Sequence, residues 1–318
     1  MPALYNQILS TTSKEEIVLD KPLPLPKSSK HWIHLTAENE EQLNFLFQKH
    51  DIHPLTIEDI LNPNSRIKLE IFPGYIFFIF KGFQYEKNQL ISKNFNFILT
   101  PHQIISIALD YRDSIGNIIE NWKTNHKILA RGYEFIVHKI LDIETDRTLN
   151  IAQKIEEKIE HFEEQIFTSS KTLDIANVYN LRAFLLTIKK GMIQNKEVLE
   201  DLEKIKNSFF SDDADAFFRD VRDHSIRILE LVESNIESIS SALEAHVAIS
   251  TRRTNEIMKI LTIMTAVMLP MSLVAGIFGM NFKILPLLEW EFGFQISLLM
   301  MGLPGLLMIL YFKLKRWY

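Results

Sequence analysis

Two stretches without charge lie at the end of the chain. Residues 260–282 and 292–312 contain no Asp, Glu, Lys or Arg, and the short segment 283–291 separates them. About 20 predominantly apolar residues are enough for an α-helix to cross the hydrocarbon core of a bilayer. The pattern therefore predicts a membrane hairpin made of two helices.

Short apolar runs predict strands between residues 31 and 110. These runs are rich in Ile and Phe, and turn signals such as Pro73-Gly74 separate them. The predicted strands are 32–35, 67–72, 75–83, 95–99 and 104–109. Apolar residues recur at helical spacing in 38–50, which predicts a helix between the first two strands.

The region that follows has the pattern of long helices. Residues 102–269 contain no proline and only three glycines, and apolar residues recur every three or four positions. Polar clusters predict breaks at 168–171 and 209–212, with Ser211 as the N-cap of the last helix. That helix is expected to run from 212 to 278, roughly 100 Å at about 1.5 Å per residue. We expect so long a helix to pack against copies of itself.

Basic residues flank the two uncharged stretches on one side of the membrane. Arg252, Arg253 and Lys259 precede the first stretch, Lys313, Lys315 and Arg316 follow the second, and the connecting segment has Lys283 against Glu289 and Glu291. Positive residues stay on the cytoplasmic side of a membrane. Both termini are therefore expected in the cytoplasm. Residues 1–21 have no apolar run, so no signal peptide is expected.

These patterns together predict an α+β membrane protein with an N-terminal cytoplasmic α/β domain, long stalk helices and two C-terminal transmembrane helices. The expected segments are a loose arm (1–30), the α/β domain (31–130), long helices comprising an acidic helix pair and the stalk (131–257), and the transmembrane hairpin with a basic tail (258–318).

The composition of the 318-residue chain excludes several classes of function. It has no cysteine, so disulfides and thiolate metal sites are ruled out, and its net charge of −5 gives no support to nucleic-acid binding. No phosphate-binding loop, His-Glu-x-x-His or Gly-x-Ser-x-Gly motif is present, so no enzyme is expected. None of the ten histidines forms a cluster with metal-ligand spacing. His224 and His246 are expected to be packed or solvated singly on the last helix.

Gly279-Met280-Asn281 closes the first uncharged stretch. A polar side chain at that depth is costly unless it faces water, a partner or an ion. The position of Asn281 therefore indicates the mouth of a pore. An Asn that caps the C-terminus of a helix is the structural alternative.

Several segments, in order along most of the chain, resemble the CorA family of magnesium channels. The similar segments are HPLTIEDIL (53–61), FFRDVRDH (217–224), TNEIMKILTI (254–263), Leu269-Pro270, AGIFGMNF (275–282) and YFKLKRW (311–317). The tripeptide alone is a weak signal. Its place at the exit of one span, followed by a second span and a basic tail, is specific.

The resemblance implies a homopentamer in the cell inner (plasma) membrane. Each chain would contribute one stalk helix that continues as the pore-lining span, while the second span packs outside it. Mg²⁺ would be both the transported and the regulatory ion, and cytoplasmic Mg²⁺ would close the pore. Influx would be passive and driven by the membrane potential.

The resemblance and the helical spacing also assign residues. Gly279, Met280 and Asn281 would form the selectivity filter, and Glu244 an acidic pore entrance. Asp220 and Glu86 would bind regulatory metal, unless they are surface carboxylates paired with bases. The predicted pore-lining residues are Asn255, Met258, Leu261, Thr262, Thr265, Leu269 and Ser272. Contact with lipid or another helix is the alternative for the apolar members of this set.

The loop after the tripeptide departs from the family pattern. Leu285-Pro286-Leu287-Leu288 replaces the usual Met-Pro-Glu-Leu, and Lys283 stands at a position that is often acidic in the family. External cation capture is therefore expected to be weaker, or the ion preference shifted. Transport of Co²⁺, Ni²⁺ or Zn²⁺ is the nearest alternative function. A membrane-anchored sensor that conducts no ions is the alternative from another class.

Overall fold

The computed structural model describes residues 7–10, 14–16, 31–35, 51–101, 103–108, 114–168, 174–205, 210, 214–281, 290–315 and 317. The chain divides into two compact units, Met1–Ser241 and Ala242–Tyr318. The predicted helix at 38–50 and the predicted cap Ser211 lie outside the described residues, as do most of the breaks at 209–212 and 168–171 and most of the loop after Asn281.

The first unit contains a seven-stranded sheet. Its strands are β1 (Gln7–Ser10), β2 (Lys14–Glu16), β3 (His31–Leu35), β4 (Leu69–Phe72), β5 (Tyr75–Glu86), β6 (Gln89–Leu99) and β7 (Gln103–Ala108). The spatial order is β2-β1-β3-β7-β6-β5-β4. The β3–β7 pair is parallel and the other described pairs are antiparallel. The sheet therefore consists of two antiparallel halves joined by one parallel contact.

Both faces of the sheet are covered, as the burial of β5 shows. Its first six residues, Tyr-Ile-Phe-Phe-Ile-Phe, are all buried. Successive side chains of a strand point to opposite faces. Ile76, Phe78 and Phe80 thus join the core on the helical face, while Tyr75 and Phe77 join the core that packs on helix α1 (Pro54–Leu61).

In the described part of the chain, the sheet is followed by α2 (Ile115–Glu120), α3 (Trp122–Arg131), α4 (Tyr133–Thr168), α5 (Ile175–Lys204) and α6 (Ala214–Phe278). Their apolar side chains, such as Leu141, Leu199 and Phe218, belong to the core on the helical face. The glutamate-rich segment 155–166 of α4 keeps its apolar positions buried, including Ile155, and leaves its glutamates exposed or half-exposed.

Helix α5 lies directly on the open edge of β5. The side-chain amide of Asn195 donates to Lys81 O and its carbonyl oxygen accepts from Lys81 N, both at 2.8 Å. A Cβ atom at Gly191 would overlap the Phe83 ring. The absence of a side chain at Gly191 therefore permits the close approach that the Asn195 pairing requires.

The second unit comprises the end of α6 and helix α7 (Gly293–Leu314). Within the described part of the chain, these are the two helices that are long and apolar enough to cross a membrane. A Cβ atom at Gly305 would overlap the Met271 side chain, whereas one at Gly302 would meet nothing within 4 Å. Gly305 thus marks the point where α7 packs closely against α6.

The predicted fold class is confirmed, and the strands at 67–72, 75–83, 95–99 and 104–109 each have a counterpart. The loose arm requires a correction. Two of its segments are the strands β1 and β2. Gln7–Ser10 pairs with β3 through backbone hydrogen bonds, which do not require an apolar sequence pattern. Helix α1 was not predicted either, although Pro54 at its start and the His53 cap are typical of an N-terminus.

Candidate functional site

The tripeptide Gly279-Met280-Asn281 follows the last turn of α6 directly. Gly279 N donates to Ala275 O at 2.9 Å, and Met280 N donates to Ile277 O at 3.3 Å. A Cβ at Gly279 would approach Ala275 O to 3.2 Å, which is tight. Asn281 lies outside the helix and is exposed. Its amide is therefore available to water, an ion or another copy of the chain.

The predicted pore-lining residues share one side of α6. All of them are exposed: Asn255, Met258, Leu261, Thr262, Thr265, Leu269 and Ser272. The half-buried residues of the same segment include Ile263, Val267 and Val274. At roughly 100° per residue, the first set centres on the side of the helix opposite to the second. The face predicted to line a pore is thus part of the surface of α6 that α7 leaves uncovered.

The two threonines of this face bond to their own helix. Thr262 Oγ1 donates to Met258 O at 2.7 Å and Thr265 Oγ1 donates to Leu261 O at 2.9 Å. Each hydroxyl has used its proton but keeps acceptor lone pairs. Both oxygens can therefore accept hydrogen bonds from the water shell of a cation.

Glu244 and Asn255 lie on α6 and are exposed. On either side of Asn255 in the sequence, Arg252 Nε contacts Glu256 Oε1 at 3.2 Å. Exposed pairs of this kind contribute little to stability. The Glu244 side chain is thus an exposed carboxylate and not part of the Arg252–Glu256 pair.

Asp220 lies in a group of histidines and carboxylates between α4 and α6. His138, Asp142 and Asp220 form one candidate metal-holding group, and Asp142, Asp146 and His224 form a second. Within each group the ligand atoms lie within 4.8 Å of one another. His138 Nε2 is 3.5 Å from Asp220 Oδ2, and His224 Nδ1 is 3.9 Å from Asp142 Oδ1.

A charged contact with α5 holds the same turn of α6. Arg222 Nη1 donates to Glu203 Oε2 at 2.8 Å, and its Nη2 donates to Asp223 Oδ1 at 3.3 Å. Burial raises the pKa of Glu203, and the charge of Arg222 opposes that rise. The Arg222 contact thus anchors α6 between Asp220 and His224.

Glu86 occupies a different place. It ends β5 at a hairpin whose turn residues Lys87 and Asn88 have φ values of 48° and 62°. Its carboxylate accepts a hydrogen bond from Gln84 Nε2. Lys158 of α4 reaches the same hairpin through Tyr85 Oη at 2.8 Å. Among the contacts of the described residues, none joins Glu86 to Asp220 within one chain.

The expectation that His224 is packed or solvated singly differs from the structure. His224 lies beside Asp142 and Asp146 rather than singly, and His138 lies beside Asp220. The fold assembles the group from two helices that are far apart in sequence. The spacing of four residues between His138 and Asp142, and between Asp220 and His224, is the signal that could have indicated it.

Comparison with known proteins identifies the family. The family described as "CorA-like Mg2+ transporter protein" matches residues 28–316. The cobalt/magnesium transport protein CorA of Thermotoga maritima is 30% identical over 294 residues, which cover 91% of this chain and 84% of that protein. A CorA protein of the same description from Methanocaldococcus jannaschii is 22% identical over 288 residues, with 90% of each chain covered.

The fold agrees with the sequence match. The complete structure of the CorA magnesium transporter from Methanocaldococcus jannaschii superposes with a TM-score of 0.85 at 20% identity, covering 100% of both chains. The match to a transporter family, together with the two apolar C-terminal helices, indicates a membrane protein. The chain belongs to the family of CorA-like Mg²⁺ transporter proteins.

Proposed function

We propose that the chain forms a homopentameric, magnesium-selective channel of the inner (plasma) membrane, with both termini in the cytoplasm. The observation that carries this proposal is the position of Gly279-Met280-Asn281 immediately after an apolar helix whose predicted pore-lining side is exposed. The names of the relatives, which refer to cobalt and magnesium transport, support Mg²⁺ and Co²⁺ as transported ions.

The proposed filter holds a hydrated ion. Mg²⁺ is small and dehydrates reluctantly, so it usually keeps several waters. Asn281 amides from five chains, with backbone carbonyls near Gly279, would offer neutral oxygens to that water shell. A neutral ring binds the ion weakly enough to release it, which conduction requires.

The uncovered face of α6 supplies the rest of the pathway. Met258, Leu261 and Leu269 would form apolar constrictions, which can gate by losing their water. Thr262, Thr265 and Ser272 would line the wetter positions, together with Asn255. Glu244 would raise the local cation concentration at the entrance. The membrane potential supplies about 2.3 kcal/mol per charge per 100 mV, so transport needs no catalytic site.

Regulation is proposed to act through Asp220 and Glu86. Carboxylates repel one another unless a divalent cation bridges them. Loss of cytoplasmic Mg²⁺ would remove the bridge and shift the population towards the conducting state. Because α6 contains both Asp220 and the pore-facing residues, one helix would couple the sensor to the gate.

The test is uptake of Mg²⁺ into proteoliposomes loaded with a magnesium-sensitive dye. Wild-type protein is expected to give a potential-driven signal, and Asn281→Ala is expected to abolish it because the filter loses its amide oxygens. Gln295→Ala, which removes an exposed amide from α7, is the matched control and should conduct like wild type.

The other outcomes separate the alternatives. Equal flux through wild type and Asn281→Ala would contradict the filter. Uptake of Zn²⁺ or Co²⁺ without Mg²⁺ would assign the chain to transition-metal transport, with Lys283 and Leu287 as the residues to examine. No flux of any divalent ion would favour the non-conducting sensor.

A further inference from the structure

Two lysines lie together where α5 packs on the open edge of β5. Lys81 belongs to β5 and is half-buried, whereas Lys190 is an exposed residue of α5. A Cβ atom at Gly191, next to Lys190 in the helix, would lie 3.5 Å from Lys81 Cδ. The stem of Lys81 therefore runs along the turn of α5 that contains Lys190, and the two positive charges share one place on the first unit.

The packing of α5 restricts the Lys81 side chain. The Asn195 amide pairs with both backbone groups of Lys81 at 2.8 Å. The missing side chain of Gly191 leaves room for the methylene groups of Lys81. A free lysine side chain loses rotamer freedom when a ligand immobilises it. Because part of that freedom is already lost at Lys81, a ligand bound there costs less entropy.

The carboxylates around α5 serve its other lysines. Each of the other three lysines of this helix has a carboxylate partner at 2.9–3.5 Å, the pairs being Lys189–Glu233, Lys196–Glu200 and Lys204–Asp201. Within the ranges that the structure describes, neither Lys81 nor Lys190 is in an ion pair. The charge of these two lysines is therefore not neutralised by the side chains that the structure describes.

The two ammonium groups also repel each other. Burial and the neighbouring charge of Lys190 lower the pKa of Lys81. A like charge at short range raises the free energy of the charged form. An anion that contacts both lysines would replace this repulsion by attraction.

The chemistry of the donors selects the ligand. A lysine ammonium group has three N–H donors and no acceptor, and it binds phosphate as a point charge. Two such groups suit a small dianion whose oxygens each accept hydrogen bonds. We propose that Lys81 and Lys190 bind the dianion of a phosphate group, either inorganic phosphate or a phosphomonoester, at the junction of β5 and α5.

The bound anion would fasten α5 to the edge of the sheet, beside the Asn195 pairing. It would thereby stabilise the folded first unit, because the unfolded chain does not hold the two lysines together. This binding does not rest on the proposed channel function, since it requires no flux.

The test is equilibrium dialysis of radiolabelled phosphate against the full-length protein in detergent, at neutral pH and constant ionic strength. EDTA is present, so that no complex of phosphate with a metal ion contributes. Wild type is expected to bind one phosphate per chain saturably. Lys190→Gln should weaken binding by about tenfold or more, since it removes a charged hydrogen-bond donor.

Lys196→Gln is the matched control, because Lys196 lies on the same helix and already has Glu200 as its partner. It should bind phosphate like wild type. Lys81→Met keeps the stem and the backbone pairing but removes the charge, and should lose binding. Lys81→Arg keeps the charge and should retain most of the binding.

A second readout covers variants that fold poorly. Phosphate that binds only the folded state raises the unfolding midpoint. The rise should occur in wild type, in Lys196→Gln and in Asn281→Ala. It should be absent in Lys190→Gln, whose exposed position leaves the core of the first unit intact.

Competition identifies the source of the phosphate group. Stronger competition by glycerol phosphate than by unlabelled phosphate would assign the site to a phosphorylated metabolite, and the reverse order would assign it to inorganic phosphate.

Three results would overturn the proposal: no saturable phosphate binding to wild type, equal weakening in Lys196→Gln and Lys190→Gln, or displacement of phosphate by an equal concentration of chloride. Absence of Mg²⁺ flux with intact phosphate binding would contradict the proposed function and leave this site standing.

Discussion

The His34 imidazole is held neutral in the core of the sheet. It is 1% exposed, and its Nδ1 lies 3.0 Å from Ser106 Oγ. The same oxygen accepts a hydrogen bond from Trp32 Nε1 at 2.8 Å. The proton of the Ser106 hydroxyl is therefore free to point at His34 Nδ1. Burial lowers the pKa of His34 from 6.5 to about 4.

This environment makes the stability of the first unit sensitive to acid. Between pH 6.5 and about pH 4 the unfolded chain binds a proton that the folded chain refuses. The free energy of unfolding should therefore fall as pH falls through this window, by about 3 kcal/mol in total. Tryptophan fluorescence during denaturant unfolding of the detergent-solubilised chain measures it.

His34→Gln keeps an acceptor for Ser106 and removes the titration, so its loss of stability in this window should be smaller. His161→Gln, at an exposed position, should behave like wild type. Equal acid sensitivity of wild type and His34→Gln would show that other groups are responsible.

Local sequence indicated part of the candidate site and missed the rest for a physical reason. Asn281 could be found because the uncharged residues before it predict a membrane span, and a polar side chain at the end of such a span is costly. The group around Asp142 could not, because His138 and Asp220 meet only when α4 and α6 pack together. The structure gives Glu86 no contact with Asp220, and their joint regulatory role stays a proposal.

At the level of elements, the edge of β5 shows how a helix can complete a sheet. Leu69 of β4 pairs with Phe78, and Ile79 N still finds Lys68 O at 2.9 Å. Lys81 lies beyond the end of β4. The Asn195 side chain of α5 supplies both the donor and the acceptor that a neighbouring strand would have given.

Asn195→Ala should destabilise the first unit strongly. It leaves the N–H and C=O of Lys81 without their partner in a site where Asn195 is fully buried. Two unpaired backbone groups should lower the free energy of unfolding by about 2–4 kcal/mol. Denaturant unfolding of the full chain checks the value.

Asn180→Ala is the control, because Asn180 is exposed on the same helix. Its effect should stay within about 0.5 kcal/mol. Similar effects of the two substitutions would mean that water replaces the Asn195 amide at little cost.

The pattern of the chain predicted those elements whose burial is continuous. β5 could be recognised because every residue of its first half is apolar. β1 could not, since its pairing with β3 depends on a strand more than twenty residues away. Helix α1 is eight residues long, too short for a helical period to stand out against its neighbours.

For the whole molecule, the apolar surface of the second unit needs covering. Leu261, Leu269 and Leu273 of α6 are each more than half exposed in the single chain. In the proposed channel, lipid would cover only the outward faces of the hairpin. Copies of the chain would cover the remainder.

The proposed pentamer predicts that purified protein in a mild detergent has the mass of five chains. Mass photometry or light scattering with correction for bound detergent measures this directly. A monomer or dimer at working concentration would contradict the pentamer and, with it, a pore built from α6 of each copy.

The single parallel pair of strands in the sheet, β3 and β7, also affects the order in which the strands pair during folding. Strands β4 to β7 are joined by short turns and can pair as soon as they are made, whereas β3 must wait for β7, which follows it only after residues 36–102. Closing so long a loop slows folding.

In pulsed hydrogen exchange during refolding, amides of β4–β6 should become protected before those of β3. Simultaneous protection would show that the two halves of the sheet fold as one. Until β7 pairs with it, the edge of β3 is exposed and can pair with another chain. The risk of aggregation during synthesis therefore lasts until β7, which ends at residue 108, has been made.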